Sequence, residues 1–488
     1  MLIDMQKYSS TLFFYDLETS GINPRDARIM QFAGQRTDMQ LNPVGEPVNV
    51  LIKLTPDVLP EPDAILITGI TPQQTLTDGV TESEFLKLFT DTVATPGTIF
   101  VGYNTVRFDD EFMRFLHYRN FYDPYQWQWQ DGRGRWDMLD VVRMTRALRP
   151  DGIEWPFSPD GKPTVRLEFM TKVNKLSHDN AHDALADVRA TISLAQLIRS
   201  KQPKLFEYLL GMRDKKNVSE LVLDGKPFVY TSGKYANEFE KTTVVATLAP
   251  NPKKGGALVY DLRHNPKEFL AMPPEELVQR WQWTRDENAP KRLPIKTLQF
   301  NRCPAVAPLG VLQEADALTR LQIDLTQIEA NRTALSSASG FRDNVLKALA
   351  MMDSQQQTEW MAKAQAVDAQ LYDGFFDNHD GQLMPVVRAA EPDELGQLAE
   401  DLHDARLQAL LPLYKARNYP ASLSGEEREA WERFCYEKLQ GGGNDSRVAK
   451  FAKRLTELGQ STKLTSEQQY ILQELQLYAE SILIVPDL

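Results

Sequence analysis

The stretch Thr11-Leu12-Phe13-Phe14-Tyr15-Asp16-Leu17-Glu18-Thr19 opens on five residues with strong strand preference and then sets two carboxylates at i and i+2. Successive strand side chains alternate between faces, so Asp16 and Glu18 project to one side. Two carboxylates held side by side repel each other, which favours an intervening cation. A divalent ion bound through oxygen answers that repulsion. An isolated Asp-x-Glu is more often a solvated acidic turn, so the reading depends on what the rest of the chain adds.

Working outward, 29–38 and 48–54 read as further strands, in a meander with the first. Segment 82–92 has helical spacing at Phe85, Leu88 and Phe89, and 98–103 reads as a buried strand. Segments 110–119 and 137–148 read as helices. Segment 181–201 is an amphipathic helix with Ala184, Val188, Ile192, Ala195 and Ile198 on one face, stopped by Gln202-Pro203. This alternation makes 1–202 an α/β domain. In 203–355, strands at 229–231, 243–248, 257–262 and 295–300 are separated by Gly/Pro turns, with 250–256 as a surface loop and 315–331 as a helix. Residues 356–488 read as helical, broken at Gly441-Gly442-Gly443-Asn444-Asp445.

Two more acidic elements follow the first. Tyr103-Asn104-Thr105-Val106-Arg107-Phe108-Asp109 links a strand to a helix, where Asp109 could reach a metal or merely cap the helix. His182-Asp183-Ala184-Leu185-Ala186-Asp187 begins the long helix. Five helical positions put His182 and Asp187 about 140° apart, so His182 reaches over Asp187 only if it precedes the first full turn. A histidine there can take a proton from water near neutral pH, or can serve as a cap or core residue. Asp187 lies among Ala and Leu, where an unpaired carboxylate is costly.

Asp-x-Glu, then Asn-x-x-x-Phe-Asp, then His-x-x-x-x-Asp resembles the DEDDh exonucleases, which have a ribonuclease-H-like fold. The likeness is closer to the bacterial exonuclease I family. It is carried by 15–19, 66–73, 102–111, 118–125, 147–150 and 180–187, and in the last third by Asp368-Ala-Gln-Leu-Tyr-Asp-Gly-Phe-Phe376 and Tyr414-Lys-Ala-Arg-Asn-Tyr-Pro420. The resemblance implies a DEDDh exonuclease domain (1–202), an SH3-like domain with helical insertions (203–355) and an all-α C-terminal domain (356–488).

It implies that Asp16, Glu18, Asp109 and Asp187 bind two Mg2+ (or Mn2+) ions and that His182 is the general base. The reaction would be 3′→5′ hydrolysis of single-stranded DNA to nucleoside 5′-monophosphates, in DNA repair and recombination. Single strands are held by stacking and a basic track. Tyr122, Tyr125, Trp129 and, from the last domain, Tyr372 are the stacking candidates. The resemblance makes Arg166 a substrate contact, with a salt bridge to Glu168 as the alternative, and Glu18 touches substrate as well as metal. It also implies a partner, the C-terminal tail of single-stranded DNA-binding protein, for which Arg149, Tyr208 and Lys226 are candidates. It implies a monomer.

Bulk properties agree. The 488 residues suit about three domains. With 42% hydrophobic and 25% charged residues, the composition is that of a soluble globular protein. No apolar run approaches the ~20 residues of a membrane span, and the N-terminus is too polar for a secretory signal. Cys303 and Cys435 are far apart, giving neither a disulfide framework nor a zinc spacing, and point to a reducing cytoplasm. A net charge of −12 argues against a protein that coats nucleic acid over its whole surface. Two rival readings stay open: an exoribonuclease of the same fold, and a non-catalytic single-strand-binding scaffold.

Overall fold

The computed structural model describes residues 9–177, 183–251, 253, 255–284, 286, 288–313, 316–361, 366–461 and 464–483. The chain forms two compact units that interleave in sequence. One takes 1–134, 178–192 and 365–488, and the other 135–177 and 193–364.

In the first unit, β1 (Thr11–Thr19) runs antiparallel to β2 (Ile29–Thr37), which runs antiparallel to β3 (Val48–Leu51). This is the expected meander. On its other side β1 is parallel to β4 (Thr98–Gly102), from Thr11↔Thr98 to Phe14↔Val101. The sheet order is β3-β2-β1-β4-β5, and the chain passes from the first unit to the second within β5 (Gly134–Asp137). Being central, β1 is covered on both faces and reads as a nearly continuous apolar run. Phe13, Tyr15 and Leu17 enter a core with Phe32, Phe85, Phe89, Phe100 and Trp127. Each such side chain contributes roughly 1.5–3 kcal/mol when fully buried. Alternation then sends Asp16 and Glu18 to the opposite face.

The expected helix over 82–92 is an α-helix, Glu82–Leu88, that passes into a single π turn, Phe89–Val93. The turn keeps Phe89 and Val93 in the same core as Phe85. Helix Asp109–Arg119 is buried almost all round. Phe112, Met113 and Leu116 face the sheet. Phe115 and Tyr118 pack with Leu371, Met384, Leu407 and Leu411 from the end of the chain.

A charge cluster is sealed in the same unit. Arg417 donates to Asp57 (2.8 Å) and to both oxygens of Asp368 (2.8 Å each). Lys438 Nζ lies 2.5 Å from Asp57, and Arg28 donates to Asp368 at 3.0 Å. Nearby, Arg119 pairs with Glu82 at 2.8 Å.

The second unit holds an antiparallel sheet of order β10-β6-β7-β8-β9. Its strands are β6 (Phe228–Thr231), β7 (Thr242–Asn251), β8 (Gly256–Asp261), β9 (Ile295–Gln299) and β10 (Ala305–Pro308). Phe228, Val245, Val259, Leu298 and Val306 form its core. The surface loop expected at 250–256 is shorter than that, because β7 continues through Pro250 and Asn251 to pair Asn251 with Gly256. Proline is tolerated there because the pairing of β6 with β7 reaches only to Val245, which leaves that side of the strand without a ladder.

The helix expected over 315–331 is also corrected. Ala315 lies outside the described residues, and the rest divides into Ala317–Arg320 and Leu325–Ser337. Gln322 takes a positive φ of 52°, and Asp324 caps the second helix by accepting from Thr326 N and Gln327 N. The break near 441–445 is present as a 3-10 turn, Gly443–Asp445, between helices Gly425–Gln440 and Arg447–Gly459. Gly442 sits there at φ 100°, which a side chain would strain. No helix among the described residues is long and apolar enough to cross a membrane.

Candidate active site

The pairing of β1 with β4 stops at Phe14, so β1 runs on alone on that side, and Asp16 and Glu18 stand beyond the end of β4. On the other side they remain in register with Ala33 and Gln31 of β2. Gly102 closes β4 where a Cβ would lie 2.0 Å from Thr105 Cγ2 and 2.9 Å from Tyr15 O, so only glycine lets the turn approach β1. Asn104 then adopts a left-handed φ of 74°, a 3-10 turn follows, and Asp109 opens the buried helix.

Helix Ala184–Lys201 brings Asp187 in its first turn, with Asp187 N bonded to Asp183 O at 3.0 Å. Carboxylate oxygens of Asp16, Glu18 and Asp187 all lie within 4.8 Å of one another. Burial, and then the Asp187 charge, hold the Asp16 carboxyl well above its usual range. Burial, followed by Asp16, Asp187 and Asp183, pushes Glu18 up to about 9. A crowded, oxygen-only donor set of this kind fits a hard divalent cation, which would relieve the repulsion.

Asp109 is buried but is not one of that trio. Its neighbour Asp110 accepts a hydrogen bond from Tyr15 OH at 2.6 Å. His182 lies outside the described residues.

The other candidates divide by environment. Trp129 is 63% exposed. Tyr125 is half-buried, with the Arg114 guanidinium 5.5 Å from its ring centroid. Tyr122 differs, because Arg388 stacks 3.9 Å over its ring and His117 packs against it edge-on. Trp127, in the same aromatic stretch, is core. Tyr372 is exposed and donates its hydroxyl to Glu111. Phe375, 88% exposed and 6.3 Å from Tyr125 between ring centroids, was not singled out by the sequence reading. Its sign was the doubled aromatic in Gly374-Phe375-Phe376, of which Phe376 alone packs inward.

In the second unit, Arg166 immediately precedes helix Leu167–Val173 and sits 3.8 Å from Glu168, with its side chain 74% exposed. Arg149 donates to the carbonyls of Leu148 and Val311, Lys226 pairs with Asp224 at 2.8 Å, and Tyr208 packs on the sheet core. Burial pushes the Tyr208 hydroxyl up to about 12.

Three family models match the chain: "Exonuclease" over 13–195, "Exonuclease I SH3-like domain" over 213–350 and "Exonuclease I C-terminal domain" over 365–482. The exodeoxyribonuclease I of Escherichia coli is 39% identical over 485 residues, 98% of this chain and 99% of that protein. The chain belongs to the exonuclease I family. Its ribonuclease-H-like exonuclease domain, SH3-like domain and helical C-terminal domain follow from that membership. It is an exonuclease, of a metal-dependent class, and its acidic trio lies inside the matched nuclease region. The crystal structure of Escherichia coli exonuclease I in complex with a dA16 oligonucleotide superposes with TM-score 0.90 at 37% identity, covering 97% of this chain and 100% of that one. A structure of SSB/exonuclease I in complex with the inhibitor CFAM gives TM-score 0.87 at 37% identity, covering 97% of this chain and 100% of that one.

Proposed function

We propose that this member of the exonuclease I family removes nucleotides from the 3′ end of single-stranded DNA as nucleoside 5′-monophosphates, acting in the cytoplasm as a monomer in DNA repair and recombination. The convergence of Asp16, Glu18 and Asp187 at the end of β1 carries this reading. The dA16 complex of the Escherichia coli relative supports the choice of substrate.

Asp16, Glu18, Asp187 and Asp109 would hold two Mg2+ ions, which when bound supply charge neutralisation at the attacking and leaving oxygens. His182 takes a proton from the attacking water. The water oxygen bonds to phosphorus as the bond from phosphorus to the 3′ oxygen breaks, and that oxygen leaves with a proton drawn from solvent water. Trp129, Tyr125, Tyr372 and Phe375 stack on the bases, and Arg166 offers its fork to a phosphate. Tyr122 supports this surface from beneath Arg388. The domains are drawn at 1–202, 203–355 and 356–488. Arg149, Tyr208 and Lys226 are assigned to the C-terminal tail of single-stranded DNA-binding protein, a reading that the SSB/exonuclease I structure supports.

End-labelled single-stranded DNA and RNA, each with magnesium or with EDTA, test the reading. Metal-dependent shortening of DNA from the 3′ end is expected. Shortening of RNA alone would point to an exoribonuclease, and shortening of neither to a binding scaffold. His182→Ala should depress single-turnover rates strongly while DNA binding stays intact; unchanged turnover would remove it as the base.

A further inference from the structure

Tyr372 and Phe375 sit on a stretch with little framework of its own. A 3-10 helix, Val367–Asp373, ends at Gly374, and Tyr372, Asp373, Gly374 and Phe375 are all exposed. Rings that stack on a mobile ligand must nevertheless be held in place before it arrives, or their ordering is charged against binding.

One side chain supplies the hold. Arg406 Nη1 donates to Gln370 O at 2.9 Å and to Gly374 O at 3.2 Å, tying together the two ends of the segment that carries Tyr372. The same guanidinium lies 4.6 Å over the ring of Phe376, beside Phe375. Its fork is itself fixed. Asp404 accepts from Nε at 3.0 Å and from Nη2 at 2.8 Å. Asp404 N and His403 N donate in turn to the two oxygens of Asp380, at 2.9 and 2.8 Å, and Asp380 is buried. At the far side, Tyr372 OH reaches Glu111, on the helix that Asp109 begins.

We propose that Arg406 is a positioning residue for strand capture: clamped by Asp404, it fixes the segment 370–376 so that Tyr372 and Phe375 meet the single strand in register with the acidic site. This rests on the reading of those two rings as stacking groups. A planar fork with several donors can bridge two carbonyls and cover a ring at once, whereas the point charge of lysine cannot.

The test is a steady-state and binding comparison on single-stranded DNA with the full chain. Arg406→Lys should raise KM by about tenfold, the loss of roughly one stacked base, with kcat within twofold of wild type. Asp404→Asn should shift KM in the same direction by less. Tyr372→Ala/Phe375→Ala should raise KM on its own, and adding Arg406→Lys to it should change nothing further.

A merely structural role would instead lower kcat and melting temperature together and add fully to the ring variant; that result overturns the proposal. If the ring variant leaves KM unchanged, the stacking assignment fails, and the proposal with it. If the ring variant raises KM and Arg406→Lys does not, the stacking assignment stands and the role of Arg406 alone is lost.

Discussion

The Tyr15 hydroxyl donates to the Asp110 carboxylate at 2.6 Å across 95 residues of sequence. One partner immediately precedes Asp16 and the other immediately follows Asp109, so this buried bond ties together the strand and the helix that carry the site. It also commits Asp110 to β1, which supports Asp109 as the site residue of that pair. Tyr15→Phe leaves a buried carboxylate one donor short and should cost about 1–3 kcal/mol in stability. Turnover should fall severalfold with no change in DNA affinity. Urea unfolding and saturating-substrate kinetics check both; wild-type turnover would show that the bond serves packing alone.

Crowding three carboxylates is a stability cost accepted for function. Asp16→Asn should therefore abolish hydrolysis yet raise the melting temperature measured in EDTA by about 2–4 °C, the shift that roughly 1 kcal/mol produces in a domain of some 200 residues. Added magnesium should stabilise the wild type more than the variant. A variant that melts lower in EDTA would mean that the trio is not repulsive.

Trp129 and Tyr122 are neighbours in sequence with opposite surroundings, one exposed and the other under Arg388. Trp129→Ala should weaken single-strand binding by about 1–3 kcal/mol at unchanged stability. Tyr122→Ala should chiefly destabilise the fold, as loss of its Arg388 stack requires. Fluorescence titration beside thermal melts separates the two, and equal effects on both readouts would erase the distinction.

The Asp57–Asp368 cluster predicts acid sensitivity. Burial alone would raise both carboxyls, but Arg417, Lys438 and Arg28 more than reverse it and hold them well below the usual range. Carboxyls depressed by folding add stability that is fully present above their unfolded value, about 4. That contribution drains away as pH falls below it. Lys438→Met, which strands part of the negative charge, should cost roughly 3–5 kcal/mol at pH 7. Denaturation midpoints between pH 3 and 7 follow the cluster, and a flat wild-type profile through pH 4 would argue against it.

Legibility in the sequence tracked the range of the interactions. The strand ending in Asp16 and Glu18 was readable because period-two alternation is local, and Asp187 because its helix has a clear apolar face. Near-continuous burial of β1 did not blur the reading, since the two acids interrupt it. Tertiary demands were not readable: the π turn after Leu88 answers a packed aromatic core, and Pro250 is admissible in β7 only because β6 has already ended. Phe375 gave no periodic signal because it belongs to no regular element. Tyr122 looked like Trp129 in sequence because Arg388, which covers it, lies 266 positions away by number.

The sealed charges also bear on how the chain is made. Asp57 and Arg417 are 360 residues apart, so at about 5–20 residues per second a ribosome exposes Asp57, with Arg28 already made, roughly 20–70 s before Arg417 and later still Lys438 are synthesised. During that interval Asp57 lacks Arg417 and Lys438, and its pocket stays open. The first unit thus completes its assembly only after Arg417 and Lys438 have been made, and a nascent chain that stops short of Arg417 cannot seal the interior on which the finished enzyme depends.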